Sequence, residues 1–444
     1  MCKMNLLKEF QTYVSKEALF EPKHKLLLAI SGGLDSMVLL HVLKHFGYQV
    51  SCAHANFQLR GDESTQDALF VKNYCDSIQI PYFEEIFETK KYASESGLGT
   101  QEAARNLRYQ WFNKLLVEKS FDFILTAHHA NDQAETILFH LIRGSGARGL
   151  SGILPKNKQL VRPLLFAKKQ DLESYAQLHD IPHRNDSSNE SDKYSRNFIR
   201  HQIIPKVQEI QAGFVTSMQH HARLMQATAH YFEEHIQGIK NSIWSKWEND
   251  LAIEAEKLCQ LAYPDIVLYE MIHTYGFNIL QCQQAIDAWK TKNSGAIFHG
   301  NSWRLLVDRN YLLLSTDPIA IPEITIQSLP FQFQNGHLQY TLEICDFTGF
   351  EENVWWLDAS LLTFPLTIRA VSTGDKFIPL GLSQYQKISD FLINKKVNQF
   401  AKERAWVLMS NHRICMLAPF QISNEFKLTN TPQQALKISQ KKEG

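Results

Sequence analysis

Three things are scarce in this chain: paired cysteines, long apolar runs and net charge. The seven cysteines are scattered and include no Cys-x-x-Cys, which argues against a zinc ribbon, an iron–sulfur cluster or a dithiol redox site. Unpaired thiols are typical of a reducing compartment, so we expect a cytoplasmic protein. No run of about 18 apolar residues occurs, so no membrane-spanning helix is predicted. The N-terminal stretch is more typical of a helix start than of a secretion signal.

The charge balance argues against a general nucleic-acid-binding protein and suggests a basic C-terminal domain. The 46 basic and 46 acidic residues cancel, whereas a general nucleic-acid-binding protein is usually basic overall. Residues 366–444 differ from the rest, because they contain 12 Lys and Arg against 5 Asp and Glu, a surplus of seven. This surplus predicts a basic C-terminal domain or, in the plainer interpretation, a solvated surface with a basic end. The length of 444 residues indicates roughly two to four domains.

Residues 24–130 alternate between short apolar segments and helical patterns. This alternation predicts a doubly wound α/β domain, in which helices cover both faces of a parallel sheet. The pattern changes after Pro205. We expect a mostly helical domain over 215–315, a linker and strand region over 316–365, and an α+β domain over 366–444.

Three polar stretches follow predicted strands of the first domain. They are SGGLDS (31–36) after the first strand, AHANFQLRGDES (53–64) after the second, and AHHANDQAET (127–136) after the fourth. Parallel sheets bind their ligands at the carboxyl ends of the strands. We therefore expect polar groups about 20 to 100 positions apart to converge at one edge of the sheet.

The SGGLDS stretch has three candidate explanations: an ordinary turn, an anion cradle, or the nucleophile elbow of a hydrolase. It lacks the Gly-x-Ser-x-Gly of the elbow and the lysine of the Walker loop. Gly32 and Gly33 permit close backbone approach, and a helix start supplies free N–H groups for phosphate. Ser31 and Ser36 add hydroxyl donors. Asp35 would repel phosphate unless a cation lay between them, which points to a magnesium-bridged nucleotide.

The loop resembles the pyrophosphate-binding loop of the PP-loop ATP pyrophosphatase superfamily, whose members cleave ATP to AMP and pyrophosphate and adenylate a substrate oxygen. Other stretches resemble, in order and spacing, those of the tRNA(Ile)-lysidine synthase family. The resemblance is dense over residues 24–205 and moderate over 366–430. The stretches are HANFQLRG (54–61), EAARNLRY (102–109), HHANDQAET (128–136), RGSGARGLSG (143–152), RPLL (162–165) and DSSNESDKYSRNFIR (186–200).

The resemblance implies a ligase that forms a C–N bond. L-Lysine is joined to C2 of the wobble cytidine in the isoleucine tRNA with the anticodon CAU, through an adenylated cytidine, and decoding switches from AUG to AUA. ATP, Mg²⁺, L-lysine and that tRNA are the implied ligands. The implied architecture is an adenine nucleotide alpha hydrolase-like catalytic domain over residues 1–214, with tRNA-binding domains over 215–315 and 366–444.

The resemblance also implies roles for particular residues. The loop Ser31, Gly32, Gly33, Leu34, Asp35 and Ser36 would bind ATP, with Asp35 toward Mg²⁺. Asp132, with His128, His129 and Glu135 near it, would orient the metal or accept a proton from the lysine amine. The remaining candidates are Arg196 and Asn197 as catalytic residues, and Arg105, Arg108, Arg143 and Arg200 as phosphate or tRNA contacts.

Several plainer or rival interpretations stay open at this point. EAARNLRY could be a helix with an exposed basic face, Glu135 a capping or ion-pair residue, and His128 and His129 zinc ligands. A tRNA thiolase would ordinarily need paired thiols, and an amidotransferase would need an ammonia source. A non-catalytic, ATP-sensing RNA-binding protein would bind without producing AMP. The oligomeric state is also open, a homodimer being one alternative.

Overall fold

The computed structural model describes residues 5–59, 61–184, 195–247, 250–316, 321–336, 338–428 and 434–442. The chain forms two compact units that divide between residues 233 and 234. The stretch 185–194, which includes most of the DSSNESDKYSRNFIR motif, lies outside the described residues.

The first unit alternates strands and helices over most of its length. Its elements are α1 (Leu6–Lys16), β1 (Lys25–Ala29), α2 (Leu34–His45), β2 (Gln49–Asn56), α3 (Asp62–Ser77), β3 (Tyr82–Ile86), α4 (Thr89–Ser96), α5 (Thr100–Lys119), β4 (Phe123–Leu125), α6 (Ala130–Ile142), α7 (Ala147–Leu150), β5 (Lys156–Asn157), β6 (Leu160–Val161), α8 (Lys169–Leu178), α9 (Ser195–Phe198), a π-helical segment (Ile199–Ile203) and α10 (Ile204–Ile210). Helix α11 (Phe214–Ile243) follows, and the division between the two units falls within it.

The sheet of the first unit has the order β3-β2-β1-β4-β6-β5. The first five strands in that order are parallel, and β5 pairs antiparallel with β6 at the edge. Strand β1 is central and fully apolar from Leu26 to Leu28. Leu26 and Leu28 belong to a core with α1, α2, α3 and α8, whereas Leu27 belongs to a second core with α5. Because side chains of a strand alternate between faces, these two cores confirm a sheet covered on both sides.

The sequence pattern predicts most of these elements at their observed positions. The helix predicted over 100–119 is α5, and the strands predicted near residues 25, 49, 82 and 123 are β1 to β4. The sequence interpretation did not include α8, β5 and β6. The strands β5 and β6 contain only two residues each, which is too short for a period-2 pattern to develop.

The described residues of the second unit form helices and four antiparallel sheets. Its elements are β7 (Trp244–Trp247), β8 (Asp250–Glu254), α12 (Ala255–Cys259), α13 (Pro264–Ile272), a 3₁₀ helix (His273–Tyr275), α14 (Ile279–Lys290), β9 (Ile297–His299), β10 (Trp303–Val307), β11 (Tyr311–Thr316), β12 (Ile324–Ile326), β13 (Phe331–Asn335), β14 (Leu338–Cys345), β15 (Val354–Asp358), a 3₁₀ helix (Ala359–Leu361), β16 (Leu366–Ala370), β17 (Lys376–Phe377), β18 (Gln386–Lys387), α15 (Ile388–Asn394), α16 (Gln399–Glu403), β19 (Trp406–Ser410), β20 (Arg413–Ala418), β21 (Gln421–Ile422), a 3₁₀ helix (Asn424–Phe426) and β22 (Ala435–Lys442).

The sheets of this unit connect residues on both sides of the predicted region boundaries. The order β7-β8-β11-β10-β9 forms one sheet, on which α12 to α14 pack, and it contains the predicted hairpin as β10 and β11. Strand β12 pairs with β16, and β14 and β15 pair with β22, across residue 365. The side chain of Arg404 forms an ion pair with buried Asp250. Strand pairing therefore crosses position 365, and the Arg404–Asp250 ion pair spans both 315 and 365. The assignment of separate functions to the regions on either side of these positions remains a prediction.

No helix in the described part of the chain is long and apolar enough to cross a membrane. The six cysteines within the described ranges are free thiols.

Candidate active site

The polar loops after β1 and β4 lie beside each other at the carboxyl edge of the parallel sheet. The chain runs outward from β1 through β2 to β3 and then returns to place β4 on the other side of β1. Open α/β sheets bind ligands in the crevice formed at such a reversal. Helices α2 and α6 begin directly after the two loops. Helix α8 begins next to α6, because the backbone N–H of Lys169 donates to Asn131 Oδ1 over 3.0 Å.

The Gly-rich loop is braced by its own hydroxyl groups. Ser36 Oγ donates to the Gly33 carbonyl (2.9 Å) and accepts from the Ser31 N–H (3.3 Å), while Ser31 Oγ accepts from the Gly33 N–H (3.2 Å). Gly32 has a φ of +86°, and a Cβ there would lie 3.0 Å from Val71 Cγ2. A side chain at residue 32 is therefore disfavoured by both conformation and space. The loop holds the first turn of α2, with its free N–H groups, open to a ligand.

Charged side chains of α2, α6 and α8 form a continuous network at this point. Lys169 Nζ lies 2.8 Å from Asp35 Oδ1, and His129 Nε2 lies 3.7 Å from Asp35 Oδ2. His129 Nδ1 lies 3.5 Å from Asp132 Oδ2, and the His129 N–H donates to the same oxygen over 2.9 Å. Buried His129 therefore lies between two carboxylates that are 97 positions apart in sequence.

Arg200 extends the network to a third carboxylate. Its guanidinium donates to both oxygens of Glu135, through Nε over 2.6 Å and Nη2 over 2.9 Å. Nη2 also lies 3.2 Å from Asp132 Oδ1. Arg200 belongs to the π-helical segment that follows α9, and such segments are frequent at functional sites. Asp35, Asp132 and Arg200, three of the residues predicted from sequence, thus meet in one network.

The two acids of α6 have pKa values shifted in opposite directions. Burial alone would raise the pKa of Asp132, but neighbouring His129 and His128, the His129 N–H and Arg200 together lower it below its ordinary value. Burial raises the pKa of Glu135, and the bidentate contact with Arg200 opposes this only in part. Asp132 therefore stays ionised at neutral pH, whereas Glu135 holds a proton more readily than an exposed glutamate.

Burial also keeps one histidine of the site uncharged. It lowers the pKa of His128 to about 4, with Asp132 opposing the shift and Arg162, His129 and Arg108 adding to it. The ring Nδ1 of His128 lies 2.9 Å from Thr126 Oγ1. His128 is therefore a neutral hydrogen-bonding group at physiological pH.

We expect the substitution His128→Gln to reduce the acid sensitivity of folding. The unfolded chain protonates this imidazole below about pH 6.5, whereas the folded chain does so only near pH 4, so stability falls as pH drops through that window. Between pH 7.5 and 5 the native histidine should cost about 1–2 kcal/mol of unfolding free energy. Urea unfolding of both proteins at the two pH values measures the difference. The control His220→Gln alters an exposed histidine of α11; an equal pH dependence in all three proteins would contradict the expectation.

The other predicted basic residues form two groups next to the network. Arg108 of α5 lies 5.5 Å from the Phe57 ring centroid, and its Nε is buried without a hydrogen-bond partner among the described residues. Arg105, one turn earlier, is exposed and lies over Tyr109.

The second group surrounds Phe139, two turns after Asp132 on α6. The exposed guanidinium groups of Arg143 and Arg196 lie 4.4 and 5.7 Å from the Phe139 ring centroid. Asn197 is half-buried and follows Arg196 in α9. These residues lie near the carboxylate network, at the end of α6 and in α9, whose segment packs on α6.

Sequence reasoning missed Lys169, which provides the cation that contacts Asp35. A signal was present, because Leu172, Tyr175 and Ala176 have helical spacing and lie buried on α8. That pattern would have predicted a helix beginning near Lys169, four residues after the end of the RPLL motif. It would not have identified Asp35 as the partner of its ammonium group.

The residues of this site are better suited to binding a nucleoside triphosphate than to holding a metal ion by protein side chains alone. Free N–H groups at the start of α2 suit phosphate oxygens. No group of three His, Cys, Asp or Glu side chains that could hold a metal occurs within the residues that the structure describes. A magnesium ion would therefore take Asp35 as its protein ligand and phosphate oxygens and water as the others, which is the coordination this ion commonly has.

Comparison with known proteins finds two family matches. Residues 3–207 match a PP-loop domain family, and residues 246–319 match the TilS substrate binding domain family. A U34-tRNA thiolase of known structure from Methanococcus maripaludis is 19% identical, with a TM-score of 0.42, and covers 51% of this chain and 80% of its own.

Curated relatives match over almost the whole length. A tRNA(Ile)-lysidine synthase from Bacteroides thetaiotaomicron is 36% identical, over 96% of this chain and 97% of the relative. One from Parabacteroides distasonis is 33% identical, over 98% of this chain and 99% of the relative. With this identity over both full lengths, and with the PP-loop at the crevice, the chain belongs to the tRNA(Ile)-lysidine synthase family.

Proposed function

We propose that this protein joins L-lysine to C2 of the wobble cytidine in the isoleucine tRNA with anticodon CAU, consuming ATP and releasing AMP and pyrophosphate. The observation that carries the proposal is the pairing of Asp35 and Asp132 through His129 beside the Gly-rich loop. Binding ATP alone does not require two carboxylates at adjacent helix N-termini, where each repels phosphate. A reaction that needs both phosphate transfer and deprotonation of an amine does require such groups.

In the first step, the C2 oxygen of the cytidine attacks the α-phosphorus of ATP. The bond from that phosphorus to the bridging oxygen breaks, and pyrophosphate leaves with the electron pair. The N–H groups of residues 34–36 at the start of α2 hold the phosphates. Asp35 would hold a magnesium ion, which would neutralise charge on the leaving group.

In the second step, the lysine side-chain amine attacks C2, and AMP leaves with the oxygen through which it was attached. As the C–N bond forms, the amine nitrogen loses one proton, and Asp132 accepts it. Because its pKa is lowered, Asp132 is ionised before the amine arrives. The half-buried position of Asp132 at the start of α6 gives access from the crevice. Glu135 is fully engaged by Arg200 and supports the position of that arginine.

The arginines beside the network are proposed contacts of tRNA and phosphate. Arg200 neutralises Asp132 and Glu135 until substrates arrive, and Arg196 and Asn197 on the preceding turn of the chain approach the nucleotide. Arg143 lies exposed directly after α6, where it can contact RNA phosphate. Arg105 and Arg108 of α5 are proposed to have the same role. Each of these roles is part of the proposal.

The second unit is proposed to bind tRNA outside the catalytic crevice. The match of residues 246–319 to a substrate binding domain supports this role for the region 215–315. The surplus of seven positive charges over residues 366–444 suits contact with RNA phosphates. The region 316–365 joins the two in sequence. We further propose a cytoplasmic location, where tRNA is processed. A measurement of mass in solution distinguishes a monomer from a homodimer.

Incorporation of labelled lysine into RNA tests the function directly. Purified protein is incubated with ATP, magnesium chloride, radiolabelled L-lysine and an unmodified tRNA transcript with anticodon CAU. Acid-precipitable label is counted before and after mild alkali, which hydrolyses aminoacyl esters and leaves lysine bonded to a base intact. We expect alkali-stable label, formed with one AMP per lysine.

Two controls give the result its specificity. A transcript of elongator methionine tRNA, which has the same anticodon, should accept no lysine. Omitting lysine should leave pyrophosphate release but no label. AMP formed only with another nucleophile would overturn the lysidine assignment in favour of a different PP-loop ligase or a thiolase, and ATP binding without AMP would favour a non-catalytic RNA-binding protein.

A further inference from the structure

We propose that Lys169 takes part in adenylation: its ammonium group moves from Asp35 to the departing pyrophosphate when ATP and magnesium bind. The inference deepens the proposed function and rests on it. It starts from the 2.8 Å contact between Lys169 Nζ and Asp35 Oδ1, which joins the first residue of α8 to the first turn of α2.

The location of Lys169 is unfavourable for a purely structural cation. A helix N-terminus carries positive partial charge, so an ammonium group there is destabilising unless an anion compensates it. Helices α2 and α6 begin beside α8 and add two further positive ends. Asp35 supplies the compensating charge, yet both side chains remain about one-third exposed, and ion pairs exposed to water contribute little to folding.

The geometry puts the ammonium group within reach of a phosphate in the loop. The backbone of Lys169 is fixed by its hydrogen bond to Asn131, whereas its side chain has four rotatable bonds. Asp35 is two residues after Gly33, whose N–H lies in the bracing network of the loop. A phosphate held by the N–H groups of residues 34–36 therefore lies beside the carboxylate that Lys169 already contacts.

Binding of ATP exchanges the partners of both groups. The carboxylate of Asp35 turns to the magnesium ion, and the freed ammonium group donates to oxygens of the β- and γ-phosphates. As the bond between the α-phosphorus and the bridging oxygen breaks, that oxygen gains negative charge. The ammonium group stabilises this charge by hydrogen bonding and keeps its proton, so pyrophosphate leaves without proton transfer from Lys169. Without ATP, the ammonium group of Lys169 remains paired with the carboxylate of Asp35.

Three variants separate this role from a structural one. Lys169→Met removes the charge and keeps the stem, Lys169→Arg keeps the charge, and Lys168→Met removes the charge of the exposed neighbouring lysine. Two quantities are measured for each: the dissociation constants of ATP and AMP in magnesium chloride by calorimetry, and the rate of pyrophosphate release in one turnover with tRNA and without lysine. Urea unfolding verifies that each variant is folded.

The proposal requires a specific pattern of results. Lys169→Met should weaken ATP binding by about tenfold with AMP binding unchanged, and slow pyrophosphate release about 100-fold. Lys169→Arg should restore most of both losses, and Lys168→Met should match the native protein. Native pyrophosphate release by Lys169→Met, or equal weakening of ATP and AMP in both Lys169 variants, would overturn the role. Because the binding comparison needs only nucleotide, it still decides on Lys169 if the native protein proves unable to adenylate tRNA.

Discussion

The Asp35→Asn variant should bind tRNA normally and release pyrophosphate at least about 100-fold more slowly than the native protein. A neutral amide is a weaker magnesium ligand than a carboxylate, so the metal would be held less firmly beside the phosphates. The measurement is pyrophosphate release in a single turnover, with ATP and tRNA in the absence of lysine, so that only the first step is observed.

The fold of this variant should remain intact. Its ion pair with Lys169 is partly exposed, and such pairs contribute roughly 0–1 kcal/mol. Glu9→Gln is a suitable control, because it also removes an acid from the first turn of a helix, in an exposed position on α1. If Asp35→Asn released pyrophosphate at the native rate, Asp35 would have no part in adenylation, and the loop would act through its N–H groups alone.

The Asp132→Asn variant should fail in the second step instead. Its adenylation rate should stay within about tenfold of the native rate, while the transfer of lysine to adenylated tRNA falls by about 10²–10⁴-fold, the usual contribution of a general base. The reason is that an amide retains a hydrogen-bond acceptor for the His129 N–H but cannot take a proton from the lysine amine. Adenylated tRNA prepared with the native enzyme, then mixed with the variant and labelled lysine, isolates this step.

A matched control exists for the capping role of Asp132. Asp171 occupies the equivalent position of α8 and accepts from the Lys168 N–H over 3.0 Å, as Asp132 does from His129 over 2.9 Å. Asp171→Asn should therefore change the free energy of unfolding only by the small contribution of the cap and leave lysine transfer at the native rate. Loss of transfer in both variants would mean that helix capping, and not proton transfer, explains the effect at Asp132.

The Asp35→Asn and Asp132→Asn variants together test whether the carboxylates of α2 and α6 serve different steps of the reaction. Their carboxylates lie on opposite sides of His129 in one network. If each blocks a different step, the network joins two sites with separate tasks. If both block adenylation alone, the carboxylates share one metal-binding task and the amine must lose its proton to another group.

Much of the crevice could be predicted from the sequence, because it depends on local pattern and on one general rule. Loops after parallel strands meet at one edge, so the loop at 31–36 and the stretch at 127–136 were expected to converge. The sequence predicts helix starts near Ser36 and Asn131, and α2 and α6 begin within two residues of these positions, at Leu34 and Ala130. Family resemblance then added roles to Asp35 and Asp132 that spacing alone could not.

The charge pairing within the crevice could not be predicted in the same way. Asp35 pairs with Lys169 at a separation of 134 positions, and Asp132 pairs with Arg200 at a separation of 68. These pairs depend on α8 beginning beside α6 and on the π-helical turn that carries Arg200. A π-helical turn has no short sequence signature, and the approach of α8 depends on packing of Tyr175 and Leu172 in a core that includes α2.

The doubly wound domain, the Gly-rich loop and the membership of a tRNA-modifying family could be inferred from the order of residues, because they follow from period, turn chemistry and ordered motifs. The three-dimensional arrangement was needed to show which cation neutralises which acid, why His128 is neutral, and that Lys169 contacts Asp35. Those properties depend on distances of a few ångströms between elements far apart in the chain, and on how deeply each group is buried. Distance and burial set the strength of charge interactions, and neither can be read from the order of residues.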